Sequence, residues 1–300
     1  MKLSLKPALL AIGAAAFVAI LCISYGYFIE PNRLVVNKSE LKIKGWNAAF
    51  DGFKIVAIAD IHGGSNGASD ENLRRVVKDT NAQKPDIVVL LGDYVSPQSD
   101  SAAGPERRLN MPMSTVADNL EGLTAKYGVF AVLGNHDGFY DDDTVSAELR
   151  RIGCTVLRNE IAVIEKDGQK IRILGLNDHM KLASWNSFDS DVRKVMADSG
   201  QAGDFIVLEH SPDIFQVLNY YKMLGPDFKL MIAGHTHGGQ VWLPIIGAPI
   251  VPSSFGQKYN RGHIREDGAD MFVTTGIGTS IMPFRFLIPP EIAVLTIRPE

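Results

Sequence analysis

Five of the chain's seven histidines, His62, His136, His210, His235 and His237, fall at or just past short apolar runs. Most stand beside a glycine and an Asp or Asn. The ordered set reads Asp60-x-His62, Gly92-Asp93, Gly134-Asn135-His136-Asp137, His210 and Gly234-His235-Thr236-His237. Imidazole, carboxylate and amide oxygen are the donors that borderline first-row divalent metals accept. A lone histidine is more often structural than a ligand, but five gathered at one edge of a sheet call for a shared purpose. The two cysteines, Cys22 and Cys154, supply no thiolate cluster, and Cys22 lies in an apolar N-terminal stretch. A disulfide framework and a cysteine-type zinc cluster are therefore excluded, the absence of thiolate argues against a structural zinc site, and the redox compartment stays open. Gly63, Gly92, Gly134, Gly234 and Gly238 suit sharp turns or close backbone approach. Ordinary turn glycines would explain those positions, but not the repeated company of His and Asp.

The elements that must position these residues are legible as apolar runs. Residues 53–59 end at Asp60, 86–91 at Gly92-Asp93, 129–133 at Gly134, 205–208 near His210 and 229–233 at Gly234. Each run is short and apolar enough to be a buried strand. Helical periodicity over 71–83, 114–126 and 142–151 separates them, and the acidic run at 141–143 suits a helix N-terminus. Residues 34–46 alternate like an edge strand, and 163–166, 171–174, 271–275 and 292–297 resemble further strands. Residues 98–112 are polar and read as a surface loop. Strands alternating with helices imply a layered α/β sheet covered on both faces, with its site outside the strands' carboxyl ends.

Taken together and in this order, the motifs resemble the full set of the calcineurin-like metallophosphoesterases, across roughly residues 53–237. Gly238-Gly239-Gln240 and Pro289-Pro290-Glu291-Ile292 are similar to a membrane-associated bacterial branch that includes relatives of the UDP-2,3-diacylglucosamine pyrophosphatases. The resemblance implies a layered α/β/β/α sandwich and two divalent ions, Mn, Fe or Zn. By it, Asp60, His62 and His237 would hold the first ion, Asn135, His210 and His235 the second, and Asp93 would bridge them. His136 would not be a ligand. It would face the substrate, stabilise phosphoryl charge or protonate the leaving oxygen, and be oriented by Asp137. Two metals neutralise an anionic phosphoester, clamp the attacking and leaving oxygens in line, and lower the pKa of a bound water. The implied activity is hydrolysis of a phosphodiester or pyrophosphate bond. A generic phosphodiesterase or phosphatase on small soluble substrates is the alternative. A non-catalytic scaffold is disfavoured, since a scaffold would be free to lose ligands and this array is complete.

Composition bounds the reading. The chain has 300 residues, 46% of them apolar and 21% charged, with a formal net charge of −4. A sizeable core is expected, and the charge balance is not that of a dedicated nucleic-acid binder. Residues 8–29 carry no charge, and at about 1.5 Å per residue they can cross a hydrocarbon layer of about 30 Å. A cleaved signal peptide is the rival reading. It is disfavoured because its apolar region is normally about 7–15 residues and no small-residue cleavage site follows here. The expected organisation is a membrane anchor at 1–30 and a catalytic domain at 31–300. The protein would sit single-pass in the cell membrane with that domain outside the cytoplasm. Apolar stretches at 241–254 and 281–290 either receive a lipid chain or the bilayer surface, or pack beneath neighbouring loops. Packing is preferred, because apolar loops in compact folds are usually tucked away. Arg285 either meets a phosphate or forms a surface ion pair. His179 and His263 lie outside the array and read as structural or surface residues.

Overall fold

The computed structural model describes residues 5–98, 104, 106–181, 185–198 and 203–300. Among the described residues, twelve strands form two six-stranded sheets. The first contains β1 (Val35–Ile43), β2 (Phe53–Ile58), β3 (Ile87–Leu91), β4 (Val129–Val132), β5 (Thr155–Val156) and β12 (Glu291–Pro299). The second contains β6 (Glu160–Lys166), β7 (Gln169–Gly175), β8 (Asp204–Leu208), β9 (Phe228–Ala233), β10 (Gly262–Glu266) and β11 (Ala269–Val273). Their orders are β1-β12-β2-β3-β4-β5 and β10-β11-β9-β8-β7-β6.

The strands that carry the motifs lie inside these sheets. In the first, β2, β3 and β4 run parallel; in the second, β7, β8 and β9 do. Every residue of Ile87–Leu91 is buried, as a strand covered on both faces requires. One core layer, with Phe50, Ile55, Val89, Ile206 and Ile232, lies between the sheets. A second packs Leu73, Val76, Val116 and Leu149 from helices against the first sheet. A third packs Phe188, Val192, Phe215 and Leu218 against the second sheet. The result is the α/β/β/α sandwich that was expected.

The outer helices are α2 (Asp70–Asn81), α3 (Met113–Leu120), α4 (Asn135–Tyr140), α5 (Asp142–Arg151), α6 (Trp185–Asp198) and α7 (Ile214–Tyr220). Ser69 caps α2 by accepting the Asn72 amide, and Asp141 caps α5 by accepting that of Asp143. Helix α3 stops at Leu120, short of the expected 126, because Gly122 takes a left-handed φ of +88° and ends the turn. The loop expected at 98–112 lies partly outside the described residues.

At the N-terminus, α1 (Leu5–Ser24) is followed by a π-helical turn, Tyr25–Ile29, and a 3-10 turn, Glu30–Asn32. Residues Leu9–Asn32 form a helix long and apolar enough to cross a membrane. Its last turns pack into the domain. Glu30 is buried and its Oε2 accepts the Leu287 amide at 2.6 Å. Gly26 O accepts the Arg285 amide at 2.9 Å, and Asn66 donates to Tyr27 O and Pro283 O at 2.7 Å. A Cβ at Gly26 would lie 2.8 Å from Arg285 O and 3.2 Å from the Phe284 ring, so only glycine fits without movement.

Candidate metal centre

The strand ends meet in one place. As β2 ends, the Asp60 amide donates to Gly92 O at 3.0 Å and the His62 amide to Asp93 O at 2.9 Å. Asp60, His62, Asp93, His235 and His237 all adopt positive φ, between 42° and 68°. Non-glycine residues rarely hold that conformation unless their surroundings impose it, and such strain gathers at functional sites. Asp60 Oδ1 and Oδ2 accept the His235 amide at 3.1 and 3.0 Å, which ties the two sheets together at the site.

Two clusters of donors result. In the first, His62 Nε2 lies 3.1 Å from His237 Nε2, and His237 Nε2 lies 3.5 Å from Asp60 Oδ1. In the second, His210 Nε2 lies 3.1 Å from His235 Nδ1. Asp93 stands between them, with Oδ2 3.6 Å from His62 Nε2 and 3.3 Å from His210 Nε2. Asn135 Oδ1 is buried with no hydrogen-bond partner. Ring nitrogens converging in pairs beside carboxylates, with an orphaned amide oxygen, fit two cations and are poorly explained without them. Six of the seven expected ligand residues, Asp60, His62, Asp93, His210, His235 and His237, are therefore together, and Asn135 opens α4 directly before His136.

His136 and Asp137 do not form the expected pair. The Asp137 carboxylate accepts four backbone amides, those of Asp93, Tyr94, Val95 and Gly134, at 2.8–3.3 Å. Both its oxygens are thereby engaged in holding the Asp93 turn against the start of α4. His136 Nδ1 is buried without a partner, and its Nε2 lies 4.0 Å from Asp93 Oδ2. The His136 amide donates to Asp93 Oδ1 at 2.8 Å. Asp137 thus fixes the position of Asp93, and no contact orients the His136 ring through it.

Arg285 is neither exposed nor ion-paired at the surface. It is fully buried. Its guanidinium donates to Gly278 O, Thr275 O and Ile288 O, and Nη2 faces His237 Nδ1 at 3.2 Å. This turns His237 Nε2 towards Asp60 and His62. By contrast, His210 Nδ1 lies 2.7 Å from the Leu91 carbonyl. His179 is partly buried beside Glu209, and His263 Nε2 lies 2.6 Å from Asp270 Oδ1 on the β10–β11 hairpin.

Burial governs the electrostatics. It pushes Asp60 up to about 7, with Asp93 adding to the rise and His210 opposing it. It pushes His62 and His235 down to about 3, and His237 well below its ordinary value. For Asp93 burial is outweighed by His210, His136 and His62, which hold it well below the carboxylate range. For His210 burial is outweighed by Asp93 and Asp60, which hold it well above the usual histidine range.

A cleft of about 580 Å³ opens over the centre, lined among others by His62, His136, Ser96, Asn110, Met282 and Tyr27 from the end of the apolar helix. The apolar loops beside it are joined, with Trp242 donating to Phe286 O and Phe286 to Gln240 O, each at 2.8 Å. The expectation that these loops pack away holds for Ala248 and Ile288 but not for their tips. Ile245, Ile246, Ile250 and Ile281 are largely exposed, as are Phe28 and Ile29 beside them in the helical segment. Sequence reasoning missed Tyr27 as a wall of the cleft. Only the shortness of the link between residue 29 and the first strand could have signalled it.

The calcineurin-like phosphoesterase family model matches residues 53–239. The chain is 31% identical over 278 residues to the uncharacterized metallophosphoesterase YkuE of Bacillus subtilis, covering 91% of this chain and 90% of that one. It is 28% identical over 278 residues to the phosphodiesterase YaeI of Escherichia coli, covering 90% and 91%. It is 24% identical over 300 residues to a transmembrane protein with metallophosphoesterase domain of Danio rerio, covering 98% of this chain and 63% of that one. The chain belongs to the calcineurin-like phosphoesterase family. It is a metal-dependent hydrolase of phosphoester bonds, of a family that works through dinuclear metal centres.

Proposed function

We propose that the chain is a single-pass membrane phosphoesterase that hydrolyses a phosphodiester or pyrophosphate bond in a lipid-linked substrate. The observation that carries this is the cleft, which runs from His62 and His136 to Tyr27 at the end of the apolar helix, with fully exposed Ile281 on its lining. A phosphate bound at the centre would leave its apolar portion near side chains already facing the bilayer. The Danio rerio relative's name, which records a transmembrane protein, supports the membrane placement. A UDP-linked diacylated sugar is the first substrate to try. Lys2 and Lys6 before the uncharged stretch 8–29 favour a domain outside the cytoplasm, which protease accessibility in intact cells tests.

In this reading Asp60, His62 and His237 would hold one divalent ion and Asn135, His210 and His235 the other, with Asp93 shared between them. The bound ions supply charge neutralisation and an activated water. The chain's own contribution is placement. Asp137, through four amides, fixes Asp93. Arg285 fixes His237, and His136 on the cleft wall faces the substrate to stabilise phosphoryl charge or give a proton to the leaving oxygen. Manganese, iron and zinc all accept these donors.

The test compares kcat/KM on a UDP-linked glycolipid in mixed micelles with that on bis-p-nitrophenyl phosphate. The lipid-linked substrate is expected to be favoured by at least a hundredfold. Equal rates, or a soluble diester cleaved equally well after removal of residues 1–30, would overturn the lipid assignment.

A further inference from the structure

Among the described residues, one cluster of donors lies outside the array. Asp178 follows β7, His179 opens the short turn His179–Lys181, and Glu209 follows β8, immediately before His210. Asp178 is 2% exposed and Glu209 fully buried. One oxygen of each carboxylate and one His179 ring nitrogen lie within 4.8 Å of one another.

The hydrogen bonds leave these carboxylates half satisfied. Asp178 Oδ1 accepts the Met180 amide at 2.6 Å, whereas Oδ2 has no partner. Glu209 Oε1 accepts the His179 amide at 3.0 Å and lies 3.4 Å from His179 Nδ1, whereas Oε2 has no partner. Two buried carboxylates, each with an orphaned oxygen, repel one another and carry a desolvation cost that one imidazole, already on the satisfied side of Glu209, does not relieve. A divalent cation relieves both at once.

We propose that Asp178, His179 and Glu209 form a third cation site, flanking the dinuclear centre and separate from it. Two carboxylate oxygens and one imidazole are a hard-to-borderline donor set, suited to Mn²⁺ or Zn²⁺. Bound there, the ion ties the turn after β7 to the residue that precedes His210, and so braces the second-ion side of the centre.

The test uses the full chain in detergent, stripped with chelator, dialysed to saturation against Mn²⁺ alone and counted by mass spectrometry. Three ions per chain are expected. Asp178→Asn and Glu209→Gln should each bring the count to two and leave the exchange-coupled signal of the Asp93-bridged manganese pair intact by electron paramagnetic resonance. That signal also reports that the variants are folded, and the more exposed His179→Gln provides a third, milder substitution. A wild-type count of two overturns the proposal. So does a count unchanged in the Asp178→Asn/Glu209→Gln double variant, or variants that lose the coupled pair and keep the remaining ion.

Discussion

The two proposed ligand triplets are backed by opposite kinds of neighbour. Behind His210 of the second lies a carbonyl, Leu91 O, 2.7 Å from Nδ1. Behind His237 of the first lies a buried cation, Arg285, 3.2 Å from Nδ1. A carbonyl fixes the tautomer and raises the ligand's basicity, the usual backing of a metal-bound imidazole. A guanidinium has no acceptor for the Nδ1 hydrogen of an Nε2-ligating ring, so it restricts the ring by contact and adds positive charge beside the site. The second triplet is thus held by the strands that carry it, and the first by a residue tied through its own amide to Gly26 of the apolar helix. The difference teaches that one half of the centre belongs to the sandwich alone and the other is shared with the apolar N-terminal helix.

Replacing Arg285 should break this asymmetry most strongly. Arg285→Met leaves the carbonyls of Gly278, Thr275 and Ile288 without their donor, inside the protein. Each buried acceptor left unsatisfied costs about 1–3 kcal/mol. Chemical denaturation should show that loss, and metal counting should show one ion released before the other. Arg285→Lys should rescue little, since a single ammonium cannot reproduce the planar fork. Equal release of both ions would mean that Arg285 supports the whole fold and not the first triplet.

His136 lines the cleft over the centre, and in the proposed reading it should matter to rate alone. Loss of one preorganised charge-stabilising group costs about 10²–10³ in kcat. His136→Ala is expected to show a fall of that size at full metal content. A variant that turns over normally, or one that loses metal, would mean that His136 neither stabilises phosphoryl charge nor protonates the leaving oxygen.

Much of this site was legible in the sequence because buried parallel strands read as apolar runs and their polar successors are few. What stayed hidden depends on tertiary geometry. Asp137 follows His136, which suggested a pair, yet successive residues on a helix point in different directions, and Asp137 reaches back to the amides of 93–95. Arg285 sits among apolar residues in a loop, and its carbonyl partners leave no mark in the side-chain pattern. Strand β5 has two residues, too few for any periodicity. The exposed tips at Ile245 and Ile281 could not be told from core residues by composition, because only the fold decides which side of a loop is covered.

Gly26 offers a finer probe of the link between helix and centre. In Gly26→Val the new Cβ would press on Arg285 O and the Phe284 ring. Overpacking of this kind costs about 1–3 kcal/mol. The shift should pass through Arg285 to His237, so affinity for one ion should weaken and the other should stay at its wild-type value. Unchanged affinity for both, with lowered stability, would confine the helix to a packing role.

Proton competition should separate the triplets most gently. Without metal, Asp60 holds its proton up to about pH 7, and His210 holds one well above the usual histidine range. His62 and His235, pushed down to about 3, are neutral near pH 7 and release nothing. Both raised groups contribute stability that is present at low pH. For Asp60 it is lost as pH rises from about 4 through 7, and for His210 as pH rises from about 6.5 through its folded value. The metal-free protein should therefore weaken only above about pH 6.5, because below it the buried, neutral His62, His235 and His237 give up protons in the unfolded chain alone and offset the loss. Cation binding must expel these protons, so affinity should rise about tenfold per pH unit while a proton is being displaced. For the first triplet the rise should level off near pH 7. For the second it should continue to higher pH, because the His210 proton is held beside Asp93. Calorimetric Mn²⁺ titrations at pH 6, 7, 8 and 9 read this directly, and two parallel profiles would show that the triplets titrate as one unit.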